Sequence, residues 1–448
     1  MKSKISILLF AAISIFIYFN RDQQNRNQIT SDKYGYYLYL PAICIYQDLS
    51  KLNFSDSVNN RYHNAFRLYE VNTNKLDKYP VGVALFEFPL FIIADSFCKT
   101  THIYKRDGFT LPYQLAFFFS QILVVTLGFF ILRNLLKKWF NDSVISITIL
   151  CIAFGTNLYV YTAFDVGMSH PYSFFLFSCL ISLTDNLYDN TLYKKISVVV
   201  TLSIVMGFIF IVRPINVISV VVPVFWGVDN LRALKTRFLF FKDHYTELFS
   251  GLLFFLIPLA IQFSYWRYIT GKWLYYSYKG EYFDFQKPHI IDGLFSYRKG
   301  WFIYSPMIVL CFIGFYFLYK KKAEITHVLV LFFILIIYCV FSWQEWWYGG
   351  GFSCRPLIET LPFLSLPLAA LIERVYPIKS KLTKSLFFAL LGFLITLNIF
   401  QSYQYSSALI HWDRMTREYY WRAFGKITHD KRDDKYLIKQ EDENKIGN

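Results

Sequence analysis

The sequence predicts an all-α membrane protein with about eleven membrane-spanning helices. Of its 448 residues, 55% are hydrophobic and 21% are aromatic, and the mean hydropathy is +0.33. A single water-exposed domain of this size cannot bury so much apolar surface, and the apolar residues fall into runs that approach the length of a bilayer-spanning helix. The net charge of +15 comes from basic residues in short loops beside these runs. That pattern is typical of a cytosolic membrane face and does not indicate nucleic-acid binding.

The first predicted span is residues 5–19, an apolar run that follows two lysines. A signal peptide is the alternative, but no small-residue cleavage site follows the run, so we expect an uncleaved anchor. Either interpretation directs the next segment outside. The later spans are expected at 111–132, 144–163, 172–183, 196–212, 215–226, 248–266, 301–318, 327–341, 357–372 and 386–400.

A long polar loop, residues 20–110, separates the first two spans and is expected to lie outside. It contains two amphipathic pieces, 34–46 and 81–97. The second piece carries Glu87 and Asp95, and two carboxylates argue against a lipid-exposed span. We therefore expect helices that lie at the membrane interface.

The charge of the short loops predicts the orientation of the chain. With Met1 inside, alternation leaves five inner segments, all of them basic, at 133–138, 189–195, 229–243, 320–322 and 374–384. The outer segments are then 164–171, the Arg213-Pro214 junction, 267–300 and 342–356. We predict a membrane domain over residues 1–400 and a polar C-terminal tail, 401–448, that is outside and partly disordered because it lacks apolar periodicity.

Polar groups suited to chemistry occur in the predicted outer segments. Asp32 follows Ser31 at the start of an amphipathic piece, where a carboxylate either caps a helix or acts as a base. Lys78 and Tyr79 either meet lipid headgroups or lie at the mouth of a lipid site.

The turn between the third and fourth spans carries Asp165 and His170, five residues apart. These two side chains are either hydrogen-bonded structural groups or an acid/base or metal-binding pair. Two groups alone do not specify a metal site.

Three further basic positions suit an anion. Arg213 lies between two apolar runs, where it either extends to the headgroups or meets an anionic ligand. Arg298 and Lys299 precede a span, where they serve either as an interface anchor or as a grip on phosphate.

Segment 343–356 is the most unusual stretch of the chain. It combines the aromatic residues Trp346, Trp347 and Tyr348 with three successive glycines and ends near Arg355. Flat aromatic faces stack on sugars or prenyl chains, and glycines allow close approach of the backbone. An aromatic belt alone does not need the glycines, so we favour a binding loop.

In their order along the chain, these residues resemble the motifs of integral-membrane C-type glycosyltransferases (the GT-C superfamily), the polyprenyl-phosphate-sugar users related to protein O-mannosyltransferases and lipid A aminoarabinose transferases. The matching set is Asp32, Tyr79-Pro80-x-Gly82, His170-Pro171, Arg213-Pro214, Arg298-Lys299-Gly300 with Ser305-Pro306, and Trp347-x-Gly-Gly-Gly-Phe-x-x-Arg355. The likeness extends over most of residues 1–400.

The resemblance implies an inverting sugar transfer from a polyprenyl phosphate to an acceptor hydroxyl of a lipid, glycan or protein, with Asp32 as base. It implies that Arg298, Lys299, Arg355 and Arg213 hold the donor phosphate. Lys33 stands where many members have a second acid, and His170-Pro171 replaces a frequent Asp-Pro, so a divalent metal ion stays open as a cofactor.

The implied location is a membrane, expected to be the bacterial inner membrane, with the site on its extracytoplasmic face. Three alternatives stay open: a transporter or flippase of lipid-linked glycans, a glycan polymerase or ligase, and a non-catalytic assembly protein. The transporter is disfavoured because the unusual polar groups lie at one face rather than at the midplane.

Overall fold

The computed structural model describes residues 1–21, 27–64, 66, 68–189 and 195–439. In this part of the chain the secondary structure is helical apart from one small two-stranded antiparallel sheet. Six helices are long and apolar enough to cross a membrane: Lys2–Phe19, Leu111–Leu136, Tyr245–Thr270, Ala323–Phe341, Arg355–Val375 and Lys381–Ser406. The prediction of an all-α polytopic membrane protein is confirmed, and the number eleven stays a prediction.

The N-terminal half of the chain contains the first membrane helix, a folded outer loop and the centre of the helix bundle. Its elements are α1 (Lys2–Phe19), α2 (Asp32–Cys44), α3 (Ser55–Tyr62), β1 (Tyr69–Val71), β2 (Asn74–Leu76), α4 (Gly82–Thr101), α5 (Leu111–Leu136), α6 (Asp142–Phe154), α7 (Leu158–Ala163), α8 (Ser169–Leu187) and α9 (Lys195–Val212). Helix α5 has Pro112 in its first turn, where proline is well tolerated. Helix α6 is capped by Asn141, whose side chain accepts hydrogen bonds from the backbone N–H groups of Ser143 and Val144.

The C-terminal half adds membrane helices and two outer segments. Its α-helices are α10 (Val221–Phe225), α11 (Leu231–Asp243), α12 (Tyr245–Thr270), α13 (Ile290–Phe295), α14 (Trp301–Tyr304), α15 (Met307–Lys321), α16 (Ala323–Phe341), α17 (Leu361–Val375), α18 (Lys381–Ser406) and α19 (Arg417–Ala423). Turns of 3₁₀ helix lie at Pro214–Val220, Arg355–Thr360 and Lys431–Tyr436.

Some predicted spans are interrupted. The span at 144–163 is divided into α6 and α7 at Gly155-Thr156-Asn157. The span at 301–318 is divided at Ser305-Pro306, because proline lacks the N–H that a continuous helix needs. The span at 215–226 is a 3₁₀ turn followed by the short α10, which contains Pro223.

The outer loop is a folded unit. Its helices α2 and α4 pack against each other, and their apolar side chains form a second core with residues of α5 and α12. The hairpin of β1 and β2 was not predicted. Both carboxylates of α4 have partners within the protein: Glu87 Oε1 accepts from the Tyr172 hydroxyl at 2.9 Å, and Asp95 pairs with Arg106 at 2.8 Å. Oε2 of Glu87 is buried without a hydrogen-bond partner among the described residues.

Several of the predicted inner segments meet at one end of the bundle, here called the basic end. The Met1 amino group lies 2.8 Å from the Asp142 carboxylate, and Lys138 lies 2.6 Å from Asp185. Lys321 contacts both Glu373 and the carbonyl of Trp139. Residues 190–194 of the second predicted inner segment lie outside the described residues.

The predicted boundary at residue 400 and the disordered tail need correction. Helix α18 continues to Ser406, and residues 407–439 then fold back onto the bundle with Ile410, Met415 and Tyr419 buried. Apolar residues spaced among the charges of this segment provide the packing that the composition alone did not reveal. The last part of the predicted tail, 440–448, lies outside the described residues.

Candidate functional site

A cavity of about 660 Å³ opens at the end of the bundle opposite the basic end. Its walls come from the outer loop, the turn before α8, the segments 210–215, 275–283 and 343–355, and the C-terminal segment. Of the predicted site residues, eight line it: Asp32, Lys78, Tyr79, Asp165, His170, Arg213, Tyr348 and Arg355. The chain therefore brings together groups from six separate segments.

Asp32 and Arg355 form the central ion pair of the cavity. Arg355 Nη2 lies 2.8 Å from Asp32 Oδ2 and also donates to the Tyr348 carbonyl at 2.8 Å. Helix α2 begins at Asp32, as expected for an acidic start, but neither Ser31 nor Asp32 makes a side-chain capping hydrogen bond. The carboxylate is turned toward Arg355 instead, and 31% of its side chain is exposed.

The protonation of Asp32 is set by opposing effects. Desolvation in the cavity wall favours the neutral acid, but the charge of Arg355 and hydrogen bonds from Tyr79 and Arg355 lower the pKa of Asp32 below its ordinary value. The group is consequently a carboxylate at neutral pH. Its affinity for a proton rises when its bond to Arg355 is weakened.

Two further ion pairs border the cavity. Lys33 Nζ lies 2.7 Å from Asp165, and Lys78 Nζ lies 2.9 Å from Glu281. Burial disfavours the charge of Lys78, yet the Glu281 carboxylate raises its pKa above the ordinary value. Asp165 thus pairs with Lys33 rather than with His170.

A buried cluster around Glu359 forms the floor of the cavity. Glu359 Oε1 forms an ion pair with Arg213 Nε at 3.1 Å and accepts from the Asn216 amide at 3.2 Å, while Oε2 lies 3.1 Å from Nδ1 of His170. His170 and Glu359 are each 1% exposed, and Nε2 of His170 has no hydrogen-bond partner among the described residues. The carboxylate therefore orients both the imidazole and the guanidinium at the cavity floor.

The four cations Lys33, Lys78, Arg213 and Arg355 each face a carboxylate. The cavity wall consequently balances positive and negative charge without a ligand. An anion that binds there has to compete with a carboxylate for its cation. This competition couples ligand binding to the state of the acidic groups.

The glycine-rich loop packs closely against two aromatic residues. A β-carbon at Gly350 would lie 2.7 Å from an indole atom of Trp412, and one at Gly351 would lie 2.5 Å from the Tyr161 hydroxyl. Gly351 N–H also donates to the Trp412 carbonyl at 2.9 Å. Gly350 and Gly351 thus bring the loop backbone close to these aromatic side chains, and Trp412 of the C-terminal segment joins the cavity wall.

The predicted phosphate ligands Arg298 and Lys299 do not line the cavity. Arg298 pairs with Asp413 at 3.3 Å and lies 3.8 Å from the Trp347 ring centre. Lys299 donates to the carbonyls of Gly351 and Trp412. Its burial lowers its pKa to about 7. Both cations fasten the glycine loop to the C-terminal segment.

Trp346 and Trp347 also lie behind the cavity rather than in its wall. Trp346 is 6% exposed and stacks near His289, while Trp347 faces Arg298. Tyr348 and Trp343 are the aromatic residues of this loop that line the cavity.

One side of the cavity is apolar. It is formed by Phe210, Val212, Pro214, Ile215 and Trp266, which come from α9, the following 3₁₀ turn and α12. Arg213 lies among these residues, and the other ion pairs of the wall come from the outer loop, the turn before α8 and the segments 275–283 and 343–355. The cavity therefore suits a ligand that is part hydrocarbon and part anion.

Sequence reasoning missed Glu359, Glu281 and Trp412. Glu359 lies within the predicted span 357–372, and an ionisable residue inside a span is a signal that identifies it as a candidate. Glu281 and Trp412 carry no comparable signal. Among the described residues, no three His, Cys, Asp or Glu side chains are grouped to hold a metal ion.

The chain matches no protein-family model and no curated protein. What the geometry defines is a helical membrane protein with an amphiphilic cavity at one end, in which a carboxylate is paired with an arginine.

Proposed function

We propose that this protein is an inverting glycosyltransferase of the GT-C type, which moves a sugar from a polyprenyl phosphate to an acceptor hydroxyl. The observation that carries the proposal is the Asp32–Arg355 pair, 2.8 Å apart, in a cavity with one apolar side and three more cations. A base, phosphate ligands and a hydrocarbon wall are the parts that this reaction requires.

The ion pairs supply a way to activate the base on donor binding. The donor phosphate competes with Asp32 for Arg355, whose planar guanidinium binds phosphate oxygens in pairs. When Arg355 turns to the phosphate, the effect that lowers the pKa of Asp32 weakens while desolvation continues to raise that pKa. Asp32 then becomes a stronger base at the moment the donor is in position.

The chemical step transfers one proton and exchanges one bond. The acceptor oxygen bonds to the anomeric carbon as its proton passes to Asp32. The bond from that carbon to the phosphate oxygen breaks, and its electron pair leaves with the polyprenyl phosphate. Arg355, Arg213 and Lys78 stabilise the negative charge that collects on the phosphate.

The remaining predicted residues have supporting roles in this proposal. Tyr79, Tyr348, Asp165 and His170 contact the donor or acceptor from the cavity wall. Arg298 and Lys299, with Trp346 and Trp347, hold the glycine loop in position and do not bind phosphate directly. This assignment follows from their buried contacts with Asp413, Gly351 and Trp412.

We further propose that the chain crosses the bacterial inner membrane about eleven times, with the basic end in the cytosol and the cavity at the extracytoplasmic face. The excess of Lys and Arg at the basic end supports this orientation. The donor then enters from the outer leaflet along the apolar wall.

The test is to compare lipid-linked glycans in cells that make the protein with those in cells that lack it, by mass spectrometry. We expect a polyprenyl-phosphate sugar to accumulate without the protein and in the Asp32→Asn variant, since loss of a general base costs typically about 10²–10⁴ in rate. Asp56→Asn is the control: Asp56 lies in the same outer loop with 80% of its side chain exposed, and it should behave as wild type.

Two results separate this proposal from its alternatives. If vesicles with and without the protein move the lipid-linked sugar across the bilayer at the same rate, while sugar transfer needs the protein and is lost in Asp32→Asn, a flippase is excluded. The glycosyltransferase proposal is wrong if no polyprenyl-phosphate sugar accumulates either in cells that lack the protein or in cells with the Asp32→Asn variant. It is also wrong if the variant consumes this sugar donor as the wild type does.

A further inference from the structure

Helix α11 is an amphipathic helix with no buried residue. Leu231, Leu234, Phe238 and Phe241 follow a spacing of three and four residues and form one apolar face. The side chains of Leu231 and Phe238 are 84% and 63% exposed. An exposed apolar face of this size is unfavourable in water unless another apolar surface covers it.

The same helix is strongly basic. Arg232, Lys235, Arg237 and Lys242 stand against one acid, Asp243. Around the helix axis, Lys235 and Lys242 lie at one edge of the apolar face and Arg237 lies toward the other edge. Cations that border an apolar face match the headgroup and acyl layers of an anionic membrane surface.

The position of α11 in the chain places it at the membrane boundary. The helix ends at Asp243, and the candidate span α12 begins two residues later, at Tyr245. On its other side, α10 ends at Phe225 after the apolar segment Pro214–Phe225. Both ends of α11 are therefore tied to apolar elements of the bundle, which keeps the helix at the bilayer surface.

A cavity of about 430 Å³ lies between α11 and the end of α8. Arg237 is in its wall, with its guanidinium 3.4 Å from the Tyr188 ring centre and one nitrogen donating to the Trp226 carbonyl. Nη1 of Arg237 is buried and has no hydrogen-bond partner among the described residues. An adjoining cavity of about 450 Å³ is lined by Lys138 and Lys322 together with their partners Asp185, Asp189 and Glu324, so the cations of that cavity are already compensated and the phosphate is assigned to Arg237.

We infer that α11 lies in the membrane surface at the basic end and that the cavity beside Arg237 holds the phosphate of an anionic phospholipid. Nη1 of Arg237 donates to a phosphate oxygen, and the acyl chains cover the apolar face of α11. This inference depends on the membrane nature of the chain and not on the proposed sugar transfer.

The test uses the full-length protein in nanodiscs and in detergent. Phosphatidylglycerol is the anionic probe, phosphatidylcholine is the uncharged probe, and inorganic phosphate represents a free anion. Native mass spectrometry counts retained lipids, and thermal unfolding gives the stabilisation by each probe. We expect preferential retention of phosphatidylglycerol, and about fivefold weaker binding in Arg237→Gln, the change typical for loss of one interfacial cation.

Two more variants keep the test decisive. Lys235→Gln with Lys242→Gln alters exposed side chains and should weaken phosphatidylglycerol binding even if Arg237→Gln fails to fold. Arg432→Gln, which removes a 90% exposed arginine from the C-terminal segment, should leave binding unchanged. Equal retention of both lipids, an unchanged preference in the double lysine variant, or equal stabilisation by inorganic phosphate would overturn the inference.

Discussion

The pKa of Asp32 is set in part by residues that lie far from it in the sequence. Arg355, 323 residues away, and Tyr79 both lower its pKa, and desolvation opposes them. A carboxylate with a lowered pKa stays ionised as the pH falls and is lost as a base only below its ordinary range. The pH dependence of transfer therefore reports on these contacts.

We predict that kcat/KM for the proposed transfer, which reports the pKa values of the unliganded protein, is nearly constant between pH 7 and pH 5 and declines at lower pH. Tyr79→Phe removes a hydrogen bond that favours the carboxylate, so the acid limb of the pH–rate profile should move to higher pH. Tyr159→Phe, a substitution at a buried tyrosine outside the cavity, is the control. An acid limb that is unchanged in Tyr79→Phe would remove Asp32 as the titrating base.

Glu359 is the partner of a buried arginine, and its loss should affect stability. Glu359→Gln leaves Arg213 without a compensating charge, which typically costs about 3–5 kcal/mol in a buried pair. Glu373→Gln removes the partner of Lys321 in a pair that is about one-third exposed, where the cost is about 0–1 kcal/mol. Thermal unfolding in detergent measures both, and equal shifts for the two variants would contradict the assigned role of Glu359.

At the scale of elements, the glycine loop and the C-terminal segment depend on each other. Lys299 donates to both, Arg298 pairs with Asp413, and Gly350 lies against Trp412. Each contact joins segments that are distant in sequence, so the shape of one cavity wall depends on the loop backbone.

We predict that Gly350→Ala displaces Trp412 and lowers transfer. The added β-carbon would lie 2.7 Å from the indole, and overpacking of this kind typically costs about 1–3 kcal/mol. Gly392→Ala in α18 is the matched control, because nothing lies within 4 Å of its added carbon. Transfer assays and thermal unfolding of both variants provide the comparison, and a fully active Gly350→Ala enzyme would show that the close packing is dispensable.

Sequence patterns predicted the helical elements well where apolar runs are long. Helices α5, α12, α16 and α18 contain the predicted spans, since a bilayer-length apolar run has few other stable conformations. The interrupted spans at Ser305-Pro306 and at Pro223 were less predictable, because hydropathy does not register the loss of a backbone N–H.

The site was predictable only in part. Charge alternation placed Asp32, Arg213 and Arg355 in segments on the same side, and the structure brings them to one cavity. Charge alternation could not reveal which carboxylate pairs with which cation, because these ion pairs depend on tertiary packing. Arg298 and Trp412 show where sequence-based prediction of the site failed. Arg298 was expected to bind phosphate but is buried against Asp413. Trp412 lines the cavity but lies in a segment whose composition suggested disorder.

At the scale of the whole molecule, the two ends differ in charge and chemistry. The basic end gathers Met1, Lys138 and Lys321, while the opposite end carries the cavity. If the chain crosses the membrane eleven times, as proposed, the two termini lie on opposite sides.

We predict this orientation to be measurable with a membrane-impermeant maleimide. A cysteine at Asp56→Cys or Arg432→Cys, both at exposed positions, should be labelled in intact spheroplasts. Lys137→Cys, beyond the end of α5, should be labelled only after permeabilisation. The unsubstituted protein gives the background from its seven native cysteines. Labelling of Lys137→Cys in intact spheroplasts would reverse the orientation.

The presence of Trp412 in the cavity wall has a consequence for biogenesis. Residues that line the cavity extend from Thr30 to Trp412, so the ribosome has synthesised the chain at least as far as Trp412 before the last part of the wall exists. A chain that ends just after α18 contains all six candidate membrane helices but lacks Trp412. If the cavity is the proposed active site, we expect such a chain to be inserted yet inactive, and the cell's proteases must recognise it by features other than missing membrane helices.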